Sequence, residues 1–152
     1  MNGKRITLDT NVLVYAIDTD AGKKHIQAME LVDYSVLLDC VLTLQSLCEF
    51  YVAVTRKKKM PSEEAVKQIE DWMILFPVII PKESSLADAL RAVQQYKLSF
   101  WDAMLWAVAL KGGVKILFSE DFQNGQIVEG VQFINPFADD FSLIDMKFDN
   151  YL

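Results

Sequence analysis

Histidine is almost missing from this chain: His25 is the only one among 152 residues. A histidine-rich zinc centre therefore finds no support, and neither does nucleophilic catalysis relayed through an imidazole. Cysteine is nearly as scarce. Cys40 and Cys48 stand in apolar surroundings without Cys-x-x-Cys spacing. They are too few for a thiolate metal site and are predicted to be buried free thiols. No apolar run is long enough to span a bilayer, and residues 1–6 run straight into a strand-like segment without a signal-peptide core. A cytoplasmic location with no membrane partner is expected. Positive charge is short as well: 15 Lys and Arg against 21 Asp and Glu leave a net charge of −6. Phosphate contacts require basic surface, so this balance argues against strong, unaided binding to long nucleic acid. Acids gathered at a metal site would account for part of it.

What is present is an ordinary globular composition, 52% hydrophobic and 24% charged, in a chain of single-domain length. Ile6–Leu8 reads as a short buried strand ending at Asp9, with a helix over 11–17 directly after it. Helices are predicted over 23–32, 42–57, about 60–75, 86–96 and 99–110, the last stopped by Gly112 and Gly113. Strands are predicted at 36–38, 78–80 and 114–118, with a final one over 126–134. Strands separated by helices imply parallel crossovers, hence an α/β layered fold around a parallel sheet. The segment after Pro136 mixes Phe141, Leu143, Ile144, Met146, Phe148 and Tyr151 with acids, and is read as a tail, 137–152, of the same domain.

Four acids stand out by position. Asp9 and Asp121 each follow an apolar strand, at the edge where open parallel sheets bind ligands. A helix N-cap is the structural alternative for Asp9, stabilising by ~1 kcal/mol; for Asp121 it is a turn acid. Asp102 completes a Ser-x-x-Asp pattern with Ser99, which is a capping box as readily as a carboxylate facing a cleft. Glu49 lies among Leu47, Cys48, Phe50 and Tyr51, either as a partly buried ligand or on a solvated helix face. Together, these carboxylates with the hydroxyls of Thr10, Ser99 and Ser119 nearby, and no usable histidine, describe a site for a hard cation, Mg²⁺ or Mn²⁺. Such an ion can activate water against a phosphodiester.

The motifs Leu8-Asp9-Thr10-Asn11-Val12-Leu13, Gln45-Ser46-Leu47-Cys48-Glu49-Phe50-Tyr51, Ser99-Phe100-Trp101-Asp102-Ala103 and Ser119-Glu120-Asp121-Phe122-Gln123-Asn124-Gly125 stand in the order of the PIN-domain family. Within that family the chain resembles the toxin ribonucleases of bacterial type II toxin–antitoxin pairs (VapC-like). The resemblance runs from Ile6 to about Pro136, so residues 1–136 are taken as the nuclease domain. It implies a three-layer α/β/α PIN-like fold, Mg²⁺- or Mn²⁺-dependent cleavage of RNA, and neutralisation by a small antitoxin. By position Asp9, Glu49, Asp102 and Asp121 match the family's acidic quartet, with Asn11 and Ser119 where supporting residues often stand. Apolar residues beyond the needs of one small core add the expectation of a homodimer.

The run Arg56-Lys57-Lys58-Lys59 is either a phosphate contact or a helix C-terminus whose cations suit the dipole. Trp72, Trp101 and Trp106, at helical spacing, read as core in preference to stacking platforms. Two rival functions use Asp9. A haloacid-dehalogenase-like phosphatase would want an acid where Asn11 stands. A phospho-acceptor signalling module would draw on Asp9 and Asp39 with a late lysine, for which Lys115 alone is available.

Overall fold

In the computed structural model, which describes residues 3–148, the short apolar segment Ile6–Leu8 is β1 and is buried throughout. Helix α1 (Thr10–Ile17) starts immediately after it and α2 (Lys23–Ser35) follows. Next come β2 (Leu42–Thr43), α3 (Leu44–Arg56), α4 (Ser62–Leu75) and β3 (Val78–Ile79). The second half holds α5 (Glu83–Tyr96), α6 (Phe100–Lys111), β4 (Ile116–Phe118), β5 (Ile127–Val128), β6 (Val131–Ile134) and α7 (Leu143–Phe148). Among the described residues no helix is long and apolar enough to cross a membrane.

Parallel pairing runs β1–β4–β6, and β5 closes that sheet as an antiparallel edge. A second parallel pair, β2–β3, joins it through a bridge between Ile6 and Cys40. The central sheet is thus mixed, with parallel strands in its interior. Period-two alternation sends neighbouring strand residues to opposite faces. Ile116 and Phe118 pack with α1 to α4, whereas Leu117 packs with α5 and α6. Helices therefore cover both faces, which makes three layers. Buried Ala103, Ala107 and Ala109 on α6 and Ala89 and Ala92 on α5 let those helices approach closely.

Several expectations change. Val36–Leu38 is not a strand but the turn that ends α2, with Leu37 N–H donating to Tyr34 O and Leu38 N–H to Ser35 O. Leu37 is 77% exposed. An apolar triplet becomes a strand only if an edge is free to pair with it. Here residues 39–41 take the edge of β1, through Ile6 N–H to Asp39 O and Val41 N–H to Ile6 O. The strand expected over 126–134 is a hairpin. Glu129 (φ 50°) and Gly130 (φ 89°) form its two-residue loop, the positive-φ pair of a type I′ turn, which suits strand twist. Cys40 is buried, but Cys48 is exposed. On α3 the buried stripe is Leu47, Phe50 and Val54, and Cys48 sits a third of a turn off it.

The tail folds back on the α1 side. Met146 is buried, Phe137 meets Tyr15 edge-on at 5.1 Å between ring centroids, and Phe141 meets Phe118 at 5.9 Å. Tyr151 lies outside the described residues.

Candidate active site

The two sheet acids meet because of register. Leu8 pairs with Phe118, so Asp9 and Ser119, one residue further on, leave the sheet side by side. Asp9 N–H still donates to Phe118 O, and Ser119 N–H to Ile134 O. From β1 the chain goes to β2 on one side and later to β4 on the other. That reversal opens a crevice at the carboxyl ends of the strands.

Asp9 is indeed the N-cap of α1, accepting from Thr10 N–H at 2.7 Å. Capping uses only part of the carboxylate. Its Oδ2 accepts from Ser119 Oγ at 2.6 Å and from Asn11 Nδ2 at 3.4 Å. The same Asn11 amide donates to Ser119 Oγ at 3.1 Å and to Asp121 Oδ2 at 3.0 Å. One amide nitrogen thus ties Asp9 and Asp121 to each other. Ser119 also accepts from Asp121 N–H at 3.0 Å, which sets the turn that carries Asp121.

Glu49 comes from α3, with its Oε2 accepting from Thr10 Oγ1 at 3.1 Å and its Oε1 from Gln45 Nε2 at 3.0 Å. Gln45 Nε2 also donates to Trp101 O at 3.1 Å, which links α3 to the start of α6. Ser99 caps α6 by accepting from Asp102 N–H at 3.4 Å, and this places Asp102 in the first turn. The capping reading of Ser99 and Asp102 and the cleft reading of Asp102 both hold.

Asp9, Thr10, Asn11, Glu49, Asp102 and Asp121 line one cleft of about 490 Å³. Asp9 is only 5% exposed and, among the described residues, pairs with no cation. Burial pushes its carboxyl up to about 7. The hydrogen bonds from Ser119 and Thr10 oppose that rise, and the charges of Asp121 and Asp102 add to it. Asp102 is also raised, chiefly by burial and further by the charges of Asp121 and Glu49, against a hydrogen bond from Ser99. Carboxylates drawn together without a counter-charge favour whatever cation can reach them. Among the described residues, no three acid, imidazole or thiol groups already form a metal cage.

The basic run divides. Lys57 and Lys59 line the cleft, but Arg56 and Lys58 do not. Helix α3 ends at Arg56 with Lys57 as its C-cap, so the dipole reading applies as well. Lys59 is held by Asp18 at 3.0 Å, leaving Lys57 as the cleft cation with no ion pair among the described residues. Ser99 is exposed and acts from outside the lining. Gln45, Tyr15, Asp18, Glu120 and Trp101 also line the cleft, and sequence reasoning passed them over as site residues. Gln45 had a signal, since it stands four residues before Glu49 on one helix face. Trp72 and Trp106 are core as expected, at 4% and 0% exposure, whereas Trp101 is 62% exposed. Phe100 and Trp101, in the first turn of α6, are exposed, whereas Leu105, Trp106, Ala107, Val108 and Ala109 further along it are buried.

A sequence profile of the PIN domain matches residues 6–125. No curated protein matches the chain by sequence. Among solved structures it is similar to a toxin–antitoxin complex from Klebsiella pneumoniae, at TM-score 0.63 and 18% identity, over 87% of this chain and 98% of that one. It is also similar to the Mycobacterium tuberculosis toxin VapC20, described as cleaving the sarcin-ricin loop, at 0.64 and 19%, over 82% and 97%. A third is VapBC-1 from nontypeable Haemophilus influenzae, at 0.61 and 16%, over 87% and 98%. Identities this low show shared fold alone. The profile, by contrast, spans β1 through the turn that carries Asp121, and on that ground the chain belongs to the PIN-domain family.

Proposed function

We propose that this PIN-domain protein is an endoribonuclease dependent on Mg²⁺ or Mn²⁺, and the toxin half of a cytoplasmic toxin–antitoxin pair. The observation that carries the reading is Asp9, a buried carboxylate with no cationic partner among the described residues, facing Asp102 and Asp121 across one cleft. The donors are all oxygens, and Asp9 and Asp121 are held close through Asn11. That set fits a hydrated hard cation, which takes one or two carboxylates and keeps water and phosphate in its remaining positions. Bound there, the ion would lower the pKa of a water and neutralise charge on the scissile phosphate.

The chain's own residues do the positioning. Asn11 and Ser119 orient the Asp9 and Asp121 carboxylates. Thr10 and Gln45 hold Glu49, and the α6 cap holds Asp102, so both can order the attacking water. The rival readings lose support here. The position two after Asp9 is an amide already engaged with three oxygens. Asp39 pairs with Arg5, and Lys115 N–H bonds Arg5 O, which puts both at the opposite end of β1 from Asp9.

Incubating the protein with RNA and Mg²⁺, Mn²⁺, Zn²⁺ or excess EDTA tests the reading. Cleavage is expected with the first two alone, zinc being poorly served without His or Cys ligands; undiminished cleavage in EDTA would end it.

The structural neighbours from toxin–antitoxin complexes support a protein partner. An arginine fork suits the uncompensated cleft, since it can bind two carboxylate oxygens at once. A co-purified partner that leaves Asp9 and Asp102 open to solvent would contradict this. Exposed Met73, Ile74, Leu75 and Ile80 support a homodimer, which sedimentation would check.

A further inference from the structure

Three tryptophans invite one question: why is a single one of them left out of the core? Trp72 packs edge-on against Phe50, with centroids 4.8 Å apart, and Trp106 donates its indole N–H to Val128 O at 3.1 Å. Both are structural. Trp101 is 62% exposed, yet it lines the cleft with all four acids and stands one residue before Asp102. Its placement is controlled. Gln45 holds its backbone carbonyl, and the Phe100 ring meets it edge-on at 4.9 Å and 72°. An aromatic face held open beside a charged site is costly to leave in water and gains on being covered.

The charge pattern says what should cover it. An RNA strand entering this cleft meets acids and few free cations. Lys59 is engaged by Asp18, so Lys57 is the cleft cation without an ion pair among the described residues. Phosphate contacts, the usual main source of affinity, are meagre. An uncharged interaction would add the affinity that is short, and stacking of a base on an aromatic ring is one that tolerates any sequence. Stacking needs a base free of its neighbours, which single-stranded loops and ends supply.

We infer that Trp101 is the stacking platform for an unpaired base of the RNA substrate, next to the scissile phosphate at the cleft. This rests on the nuclease reading, and the experiment keeps the two apart. The probe is a short fluorescein-labelled single-stranded RNA of mixed sequence. Binding is measured by anisotropy in an Asp121→Asn background with Mg²⁺, which spares the RNA, and cleavage in the otherwise unaltered protein.

Trp101→Ala should raise Kd and KM by about 5- to 150-fold, the cost of a lost base stack, with a much smaller change in kcat. Because no charge is removed, the factor should be the same at low and high salt. Trp101→Phe should keep most of the affinity but lose the change in tryptophan emission that RNA causes in the parent. Trp101→Leu, apolar but unable to stack, should behave like Trp101→Ala, and replaces it if the alanine variant folds poorly. Unchanged Kd and KM in a protein that cleaves RNA would overturn the inference and leave the nuclease reading standing. So would a shift in sedimentation on Trp101→Ala, which would make the indole an interface between copies. RNA binding that depends on Trp101 without cleavage would do the reverse.

Discussion

Asp9 and Glu129 are both acids at strand ends, and the fold treats them in opposite ways. Glu129, at the tip of the β5–β6 hairpin, receives Arg91 through Nη1 and Nη2 at 2.6 and 3.0 Å and the Tyr96 hydroxyl at 2.8 Å. The Arg91 hydrogen bonds hold its carboxyl below the ordinary range. Asp9 receives a serine, an amide and a backbone N–H, but no cation among the described residues, and burial holds it high. Glu129 helps to keep a backbone with positive φ in place, an exposed and structural task. Asp9 is buried without a counter-charge among the described residues, the pattern expected where charge is reserved for a ligand.

Perturbing each place in turn should separate these roles, and the largest effect is on chemistry. Asp121→Asn is expected to lower RNA cleavage by more than about 100-fold, since even residues that only orient metal ligands carry 10- to 100-fold. Initial rates with Mn²⁺ check it, and activity within tenfold of the parent would remove Asp121 from the site.

Next in size is stability. Asp9 has a folded pKa of about 7 against an ordinary 3.8, so protonation favours the fold. The stability this contributes is fully present below pH 4 and is lost as pH rises through 7. Asp9→Asn, which can still cap α1, avoids that loss. In EDTA its stability relative to the parent should rise between pH 4 and 7 by on the order of 1–3 kcal/mol, then level off. Adding Mn²⁺ should reverse the ranking by mass action, stabilising the parent much more than the variant. Melting curves at several pH values, with EDTA and with Mn²⁺, decide. A variant that melts lower in EDTA throughout, and shifts like the parent in Mn²⁺, would make Asp9 a cap alone.

Smaller still is the contribution of the basic run. Lys57→Ala should reduce the log–log salt slope of RNA binding by roughly 0.9 or less, while Lys58→Ala, off the cleft, should leave it alone. Equal slopes in both would return the run to a helix terminus.

Least of all, Arg91→Ala should lower the melting temperature slightly and leave cleavage unchanged. A cleavage defect there would mean the hairpin is coupled to the cleft and would erase the contrast between the two acids.

Much of the fold was legible because burial imposes period. Ile116–Phe118 is apolar on both faces, as a parallel interior strand tends to be, and Ile6–Leu8 is buried throughout with Thr7 its one polar residue. The starts of α1, α4 and α6 are marked by Asp9, Pro61 and Ser99. Val36–Leu38 misled because local apolarity cannot report which edge is free. The Glu129–Gly130 turn went unseen because its first residue is not Asn, Asp or Gly; Arg91 and Tyr96, more than thirty positions earlier, hold it.

At the site, chain order and residue type determined that carboxylates follow β1 and β4 and that one histidine and two cysteines are all the chain offers, since both are properties of the residues themselves. Only the tertiary structure decided that Asn11 joins Asp9 to Asp121, that Lys59 is engaged by Asp18, and that Trp101 faces the cleft while Trp106 is buried. Each of those depends on distances between groups far apart in the chain and on which helix face the next layer covers. Packing sets such distances, and no pattern along a single segment encodes them.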